Sequence, residues 1–356
     1  MAHGAQVDGV GGAQHVEPRG GHHTPVLEKI GRQHEMKFAF QDFDWGSEYY
    51  FRNGRMMPAD AIELLRPADA ILLGAVGHPK IPDHVTLNGL LLPIRRAFDQ
   101  YANARPAVLY QGVQSPLALR KGEQIDFVVV RENTEGEYAQ VGGFVYQDQP
   151  EEVAIQTAVF TRRGVDRIVR FAFELARRRN GKKRVTSITK SNAQGFGMVL
   201  WDRAFASMAA EFPDISTESL LVDAAAMNFI RRPESFDVVV ASNLFGDILS
   251  DISAIIVGSM GLAPSANLDP LRRYPSMFEP VHGSAPDIAG KGVVNPLATI
   301  LSAAMMLDHL QATEAAKRVE RAVGDVLADG RRRTPDIGGT SSTVEVTDAV
   351  LEKLGA

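Results

Sequence analysis

Asp247 and Asp251 stand four residues apart in Asn243-Leu-Phe-Gly-Asp-Ile-Leu-Ser-Asp251, so a helix stacks them one turn apart on one face. Carboxylates that close repel unless a cation lies between them, and hard oxygen ligands favour Mg²⁺ or Mn²⁺. A solvated acidic face is the ordinary alternative. Phe245, Ile248, Leu249 and Ile252 surround the pair with apolar residues, which favours a metal site beside a core. The preceding run Asp237-Val-Val-Val-Ala241 has the composition of a strand.

Further charged groups fall at the ends of predicted elements. Arg95, Arg105 and Arg131 can each grip a carboxylate through two parallel hydrogen bonds. One arginine alone is more often an ion-pair residue; three suit a small, multiply charged carboxylic acid. Tyr138 and Lys190 are candidate proton carriers, and Asp223 joins Asp247 and Asp251 as a candidate metal ligand. A second informative stretch, Phe278-Glu-Pro-Val-His-Gly-Ser-Ala-Pro-Asp-Ile288, reads as a loop closing at Asn295-Pro296. Its small residues Gly283, Ser284 and Ala285 permit close backbone approach to a ligand. Asp287 can accept from both ribose hydroxyls of an adenosine. No GxGxxG occurs, so a Rossmann site is not supported.

The elements that must position these groups alternate between strand and helix. Thr24-Pro25 resembles a helix start, with Val26, Leu27 and Ile30 as its apolar stripe. Strands are expected at 37–45, 68–76, 107–110, 126–132, 184–189 and 218–223, and helices at 59–65, 87–101, 164–179, 198–211 and 297–310. Residues 141–161 read as an extended β arm. The alternation implies an α/β protein with a largely parallel sheet, and Arg131 and Lys190 then follow strand C-termini, where such sheets place their sites. Residues 1–23 hold four histidines (His3, His15, His22 and His23) without regular spacing and many glycines, and are expected to be poorly ordered.

Composition narrows the class. The 356 residues suffice for two domains. A net charge of −5, from 38 basic and 43 acidic residues, gives no reason to expect nucleic acid or an anionic membrane as partner. With no cysteine, thiolate metal sites and cysteine nucleophiles are excluded. The apolar runs near 252–263 and 296–307 are too short for a bilayer span, and no signal peptide pattern opens the sequence. A cytoplasmic enzyme is the expectation.

Taken together, Arg105-Pro, Arg131-Glu-Asn-Thr-Glu-Gly-Glu-Tyr138, Lys190-Ser-Asn192, Asn243-Leu-Phe-Gly-Asp247 to Asp251, Glu279-Pro-Val-His-Gly-Ser-Ala-Pro-Asp287 and Gly338-Gly-Thr-Ser-Ser-Thr343 resemble the β-decarboxylating dehydrogenases. That family includes the isocitrate, 3-isopropylmalate, tartrate and D-malate dehydrogenases. The resemblance runs from about residue 36 to the C-terminus. It implies an isopropylmalate dehydrogenase-like two-domain fold, with 1–103 plus 257–356 as the large cofactor domain and 104–256 as the small one. It implies an obligate homodimer clasped by the 141–161 arm, with Lys190 and Asp223 serving the other subunit's site. Arg95, Arg105 and Arg131 would hold the malate part of the substrate, with Tyr138 nearby. Asp223, Asp247 and Asp251 would bind Mg²⁺ or Mn²⁺. Glu279 and the stretch from His282 through Gly283, Ser284, Ala285, Asp287 and Ile288 to Asn295 would hold NAD, because the Asp287 carboxylate would repel a 2′-phosphate.

Pro82-Asp83-His84, Phe43-Asp-Trp-Gly46 and Ser265-Ala-Asn267 look most like the tartrate/D-malate branch. Thr86 and Asn88 would meet a C3 hydroxyl, whereas Leu90 and Leu91 would suit the isopropyl group of 3-isopropylmalate. Family members open with a strand and a Gly-Asp-Gly-Ile-Gly turn, and neither is expected within residues 1–23.

Overall fold

The computed structural model describes residues 5–10, 22–120 and 122–355. In chain order its first half comprises β1 (Ala5–Val10), α1 (His23–Gln33), β2 (Phe38–Phe43), α2 (Ser47–Asn53), α3 (Ala61–Leu65), β3 (Ala70–Leu73), α4 (Asp83–Thr86), α5 (Leu92–Ala97), β4 (Ala102–Val108), β5 (Asp126–Glu132), β6 (Gly142–Val145), β7 (Val153–Gln156) and α6 (Arg162–Arg179). Then follow β8 (Arg184–Thr189), α7 (Gly197–Glu211), β9 (Ser216–Leu221), α8 (Val222–Arg231), β10 (Val238–Ala241), α9 (Asn243–Ile256), β11 (Pro264–Leu268), β12 (Ser276–Pro280), α10 (Leu297–His309), α11 (Thr313–Asp329) and α12 (Thr343–Gly355).

Ten strands form one sheet in the order β2-β1-β3-β12-β11-β4-β5-β10-β8-β9. The β12–β11, β11–β4 and β4–β5 pairs are antiparallel and the others parallel. Two parallel blocks therefore run in opposite directions, joined through β11 and β4. The runs Val128-Val-Val130 and Val238-Val-Val240 are buried on both faces, as parallel strands covered by helices must be.

The apolar interior falls into three clusters. Phe127, Phe229 and Phe236 pack with Phe173 and Trp201 where α6, α7 and α8 meet β5, β8 and β10. Val26, Leu27 and Ile30 join Phe278, Leu301 and Val323 in a second cluster, and Trp45, Leu73, Leu90 and Ile94 belong to a third. Burying each such side chain stabilises the fold by roughly 1.5–3 kcal/mol. Trp201 Nε1 donates to Ser187 Oγ at 2.9 Å, so its polar atom is also satisfied.

Several expectations need correction. Poor order over 1–23 fails for Ala5–Val10, which pairs in parallel with both β2 and β3 and occupies the place of the strand thought missing. Its local pattern is weak because Asp8 and Gly9 disfavour strand, and backbone pairing with two neighbours outweighs that. His3 and His15 lie outside the described residues. The expected helix 87–101 is interrupted: Leu87–Leu91 is a π turn ahead of α5. Pro93 has no N–H for the Gly89 carbonyl, which forces the ladder to reset. Phe278-Glu-Pro280, expected in a loop, is the C-terminal part of β12. Asp223 lies in the first turn of α8 rather than at the end of a strand.

Candidate active site

Arg131 is the penultimate residue of β5, and the segment after it is fastened to the start of α9. Asn243 Oδ1 accepts from Arg131 Nε at 3.0 Å and Nη2 at 2.7 Å, while its Nδ2 donates to the Glu135 carbonyl at 3.0 Å. Glu137 accepts from Ser242 Oγ at 2.7 Å and from the Leu244 amide at 3.1 Å, placing a carboxylate where a helix N-terminus favours negative charge. Gly246 allows this approach: a Cβ there would lie 2.6 Å from Arg131 Cβ.

Asp247 is the hub. Its Oδ1 accepts from Arg105 Nη1 at 3.2 Å and from Arg131 Nη1, and its Oδ2 accepts from Tyr138 Oη at 2.7 Å. Arg105 Nη1 also donates to Ser250 Oγ at 2.7 Å and lies 3.9 Å from Asp251 Oδ1. Burial raises the Asp247 carboxyl, but Arg131, Arg105, the Tyr138 hydrogen bond and Arg95 together hold it below the usual range. Burial, then the neighbouring Asp247, pushes the Tyr138 phenol up to about 12, so it keeps its proton. Burial pulls the Arg131 guanidinium down to about 10, opposed by Asp247. Asp251 is more open, and burial raises its carboxyl.

Arg95, on α5, donates through Nη2 to Glu279 Oε1 at 2.7 Å. The same oxygen accepts from Asn267 Nδ2 at 2.8 Å. Asn267 Oδ1 accepts in turn from Asn103 at 3.0 Å and Asn133 at 2.9 Å, so a buried amide seam orients Glu279. The three arginines, Tyr138, Asp247 and Glu279 line one cavity of about 170 Å³, whose apolar wall includes Leu87 and Leu91.

The remaining expected residues fall elsewhere. Lys190 Nζ donates to Asp223 Oδ1 at 2.5 Å, and that hydrogen bond draws the Asp223 carboxyl down. Among the described residues, no three His, Cys, Asp or Glu side chains of one chain gather to hold a metal. Asp247 and Asp251 thus form a two-carboxylate set, which matches how Mg²⁺ is commonly bound, by one or two carboxylates and its substrate. Asn88 does not line the cavity; Nδ2 donates to the His84 carbonyl at 2.8 Å and Oδ1 accepts from Gln140. Thr86 is buried and outside the cavity lining as well.

In the stretch expected to hold the cofactor, His282 lines the cavity with a buried, unpartnered Nε2, and burial lowers its pKa. Gly283 has open space where a side chain would project, whereas Gly77, at φ +149°, would put a Cβ 2.6 Å from Ser284 Oγ. Asp287 and Ala285 are exposed, and Ile288 is half-buried. Asn295 is structural in part: Oδ1 accepts from the Leu297 amide at 3.0 Å and Nδ2 donates to Asp336 at 3.0 Å. An orphaned polar atom beside a bare backbone turn fits a bound cofactor.

Asn243, Glu137, Ser250 and Asn267 are site-building residues that the sequence reading did not assign. Glu137 and Asn243 lay inside quoted motifs, but Glu137 meets the start of α9 from 105 residues away, so its capping role was not legible locally. Asn267 lay in a stretch quoted only for its resemblance, and its role as an acceptor was hidden because its partners sit on β4, just past β5 and on β12.

The isocitrate/isopropylmalate dehydrogenase family matches residues 21–350, and the chain belongs to it. It is 51% identical over 329 residues to a probable tartrate dehydrogenase/decarboxylase of Agrobacterium vitis, covering 92% of this chain and 91% of that protein. It is 48% identical over 355 residues to the decarboxylating D-malate dehydrogenase of Escherichia coli, covering 98% and 97%. Among solved structures it is similar to isocitrate dehydrogenase from Methylococcus capsulatus, with a TM-score of 0.87, 34% identity, and 99% and 100% of the two chains covered.

Proposed function

We propose that this protein oxidatively decarboxylates D-malate or tartrate, using NAD and Mg²⁺ or Mn²⁺. The observation that carries this reading is the convergence of Arg95, Arg105 and Arg131, from three elements, on the cavity that holds Asp247 and Tyr138. Three guanidiniums suit a dicarboxylate, and the relatives named above carry the two substrates in their names. The chain would divide near 103 and 257, although Tyr101, Ala102 and Val257 pack into the same apolar cluster as the 104–256 unit.

Asp247 and Asp251 would hold the cation, together with Asp223 of a second copy; such an ion makes a 2-hydroxyl easier to deprotonate. Glu279, His282, Gly283, Ser284, Ala285, Asp287, Ile288 and Asn295 would hold NAD, which when bound would supply the hydride acceptor. The arginines orient the substrate and neutralise its carboxylates. Tyr138, protonated at working pH, donates a proton to carbon after CO₂ leaves, with the second copy's Lys190 as the proton carrier at the hydroxyl.

Dimerisation is supported by exposed apolar side chains. Phe144, Tyr146 and Ile155 on the β6–β7 hairpin are 60%, 61% and 57% exposed, and Met227 and Ile248 on α8 and α9 are 58% and 50% exposed. Exposed large apolar side chains on the hairpin and on the α8–α9 pair suit burial against a second copy. Among the described residues, no helix is long and apolar enough to cross a membrane. The Leu87 and Leu91 wall favours a second reading, oxidation of 3-isopropylmalate. NADH formation with Mn²⁺ and each acid in turn tests both readings. Turnover of D-malate or tartrate is expected; turnover of 3-isopropylmalate alone would replace the first reading with the second.

A further inference from the structure

Arg96 follows Arg95 on α5 but serves different acceptors. Its Nη2 donates to the Tyr138 carbonyl at 2.9 Å and its Nη1 to Gln140 Oε1 at 2.7 Å. Gln140 Nε2 passes the connection to Asn88 Oδ1. From the opposite side, Gln156 on β7 donates to the Ala139 carbonyl at 2.7 Å. Residues 138–140 lie outside regular secondary structure, held by turn bonds from the Ala139 amide to the Gly136 carbonyl and from the Val141 amide to the Ala139 carbonyl, and the side chains of Arg96 and Gln156 add to these. Neither acceptor of Arg96 is a carboxylate. A half-buried guanidinium without a carboxylate partner there is poorly explained as ion pairing, and well explained as a planar fork matched to two neutral oxygens.

We propose that Arg96 is a positioning residue for Tyr138, gripping the peptide that carries the phenol so that Tyr138 Oη stays against Asp247 at the cavity. The kinetic consequence rests on the functional reading above; the clamp itself does not. Through Gln140 and Asn88 the same residue ties the Tyr138 segment to the helical turn whose leucines line the cavity. A misplaced proton donor slows chemistry without weakening the grip of Arg95, Arg105 and Arg131 on substrate. The signature is therefore a fall in kcat at nearly constant KM.

The test uses the full-length protein with Mn²⁺ and NAD, comparing wild type, Arg96→Met and Arg96→Lys. Arg96→Met is expected to lower kcat about 10-fold, with KM changed by less than about 2-fold. Arg96→Lys, which keeps one of the two hydrogen bonds, is expected to recover much of that loss. Hydrogen–deuterium exchange supplies a readout independent of turnover: amides within 136–141 should exchange faster in Arg96→Met and be largely restored in Arg96→Lys. Unchanged exchange there overturns the proposal, as does a rise in KM at constant kcat, which would make Arg96 a substrate ligand. Should wild type turn over none of the acids, the functional reading fails while the exchange comparison still decides the clamp.

Discussion

Two acid–base clusters stand at the C-terminal ends of the parallel strands β5, β10, β8 and β9, and their surroundings differ sharply. Around Asp247, two arginines and a tyrosine converge, Arg131 is fully buried, and every partner comes from a different segment. Lys190 and Asp223 meet only in an ion pair of their own, with side chains 29% and 58% exposed. Solvent screening leaves such a pair with little to contribute to the fold. The first cluster is therefore built into the fold, whereas the second has little structural task. An exposed lysine–aspartate pair beside exposed apolar surface is what half of a shared site would look like in a single chain.

Turnover gives the largest expected contrast. On the proposed mechanism, Asp247→Asn and Lys190→Ala should each lower kcat by at least about 10³-fold, by removing a group assigned to proton or charge handling. In the proposed shared-site dimer, co-refolding the two inactive variants should restore about a quarter of the wild-type rate, because half of randomly formed pairs would be mixed and each would have one complete site. Absence of any recovery in steady-state assays of the mixture would show that Lys190 acts within its own chain.

Stability should separate the clusters next. Asp247→Ala leaves Arg131 and Arg105 buried without their shared counter-charge, a loss of about 3–5 kcal/mol in urea unfolding. Asp223→Ala should leave the unfolding midpoint unchanged. Equal losses would erase the distinction between a structural cluster and a free-standing pair.

Much of this contrast was legible from sequence. The Asp247–Asp251 spacing, the arginines and the strand ends at Arg131 and Lys190 required only periodicity and motif order, and β5, β8 and α9 fall where their patterns predicted. Less was legible where long-range contacts decide. β1 exists by pairing with β2 and β3, and Asn267 acquires its role from partners up to 164 residues away. Asn88 has the right chemistry for a hydroxyl, yet its amide is satisfied by His84 and Gln140. A sequence reveals which residues can bond; the fold decides which bonds are already made.

A smaller effect has the opposite sign within the hub itself. Burial raises the Asp251 carboxyl, so the folded state binds a proton more readily than the unfolded chain. Its charge then opposes folding at neutral pH, and the penalty fades as pH falls through the raised folded value. Asp247, held low, contributes stability above the unfolded carboxylate range and loses it as pH falls through its own depressed value. Asp251→Asn should therefore stabilise the metal-free protein near pH 7 by less than about 1 kcal/mol, discounted for its partial exposure. Destabilisation in chelator-treated samples would mean that Arg105 depends on Asp251 as it does on Asp247.

The smallest expected change is at Asn88, on the rim between the cavity and the Tyr138 segment. Both ends of its amide are engaged by protein groups, and Leu87 and Leu91 take the cavity wall instead. Asn88→Ala should shift the ratio of kcat/KM for tartrate over D-malate by less than about 3-fold, well below the cost of losing a buried hydrogen bond to a substrate hydroxyl. A selective loss of about 10-fold or more for tartrate would mean that Asn88 turns from Gln140 to the C3 hydroxyl when substrate binds. In that case Gln140→Ala, which frees the Asn88 carbonyl, should favour tartrate over D-malate. If neither variant moves the ratio, discrimination at C3 belongs to the shape of the leucine wall.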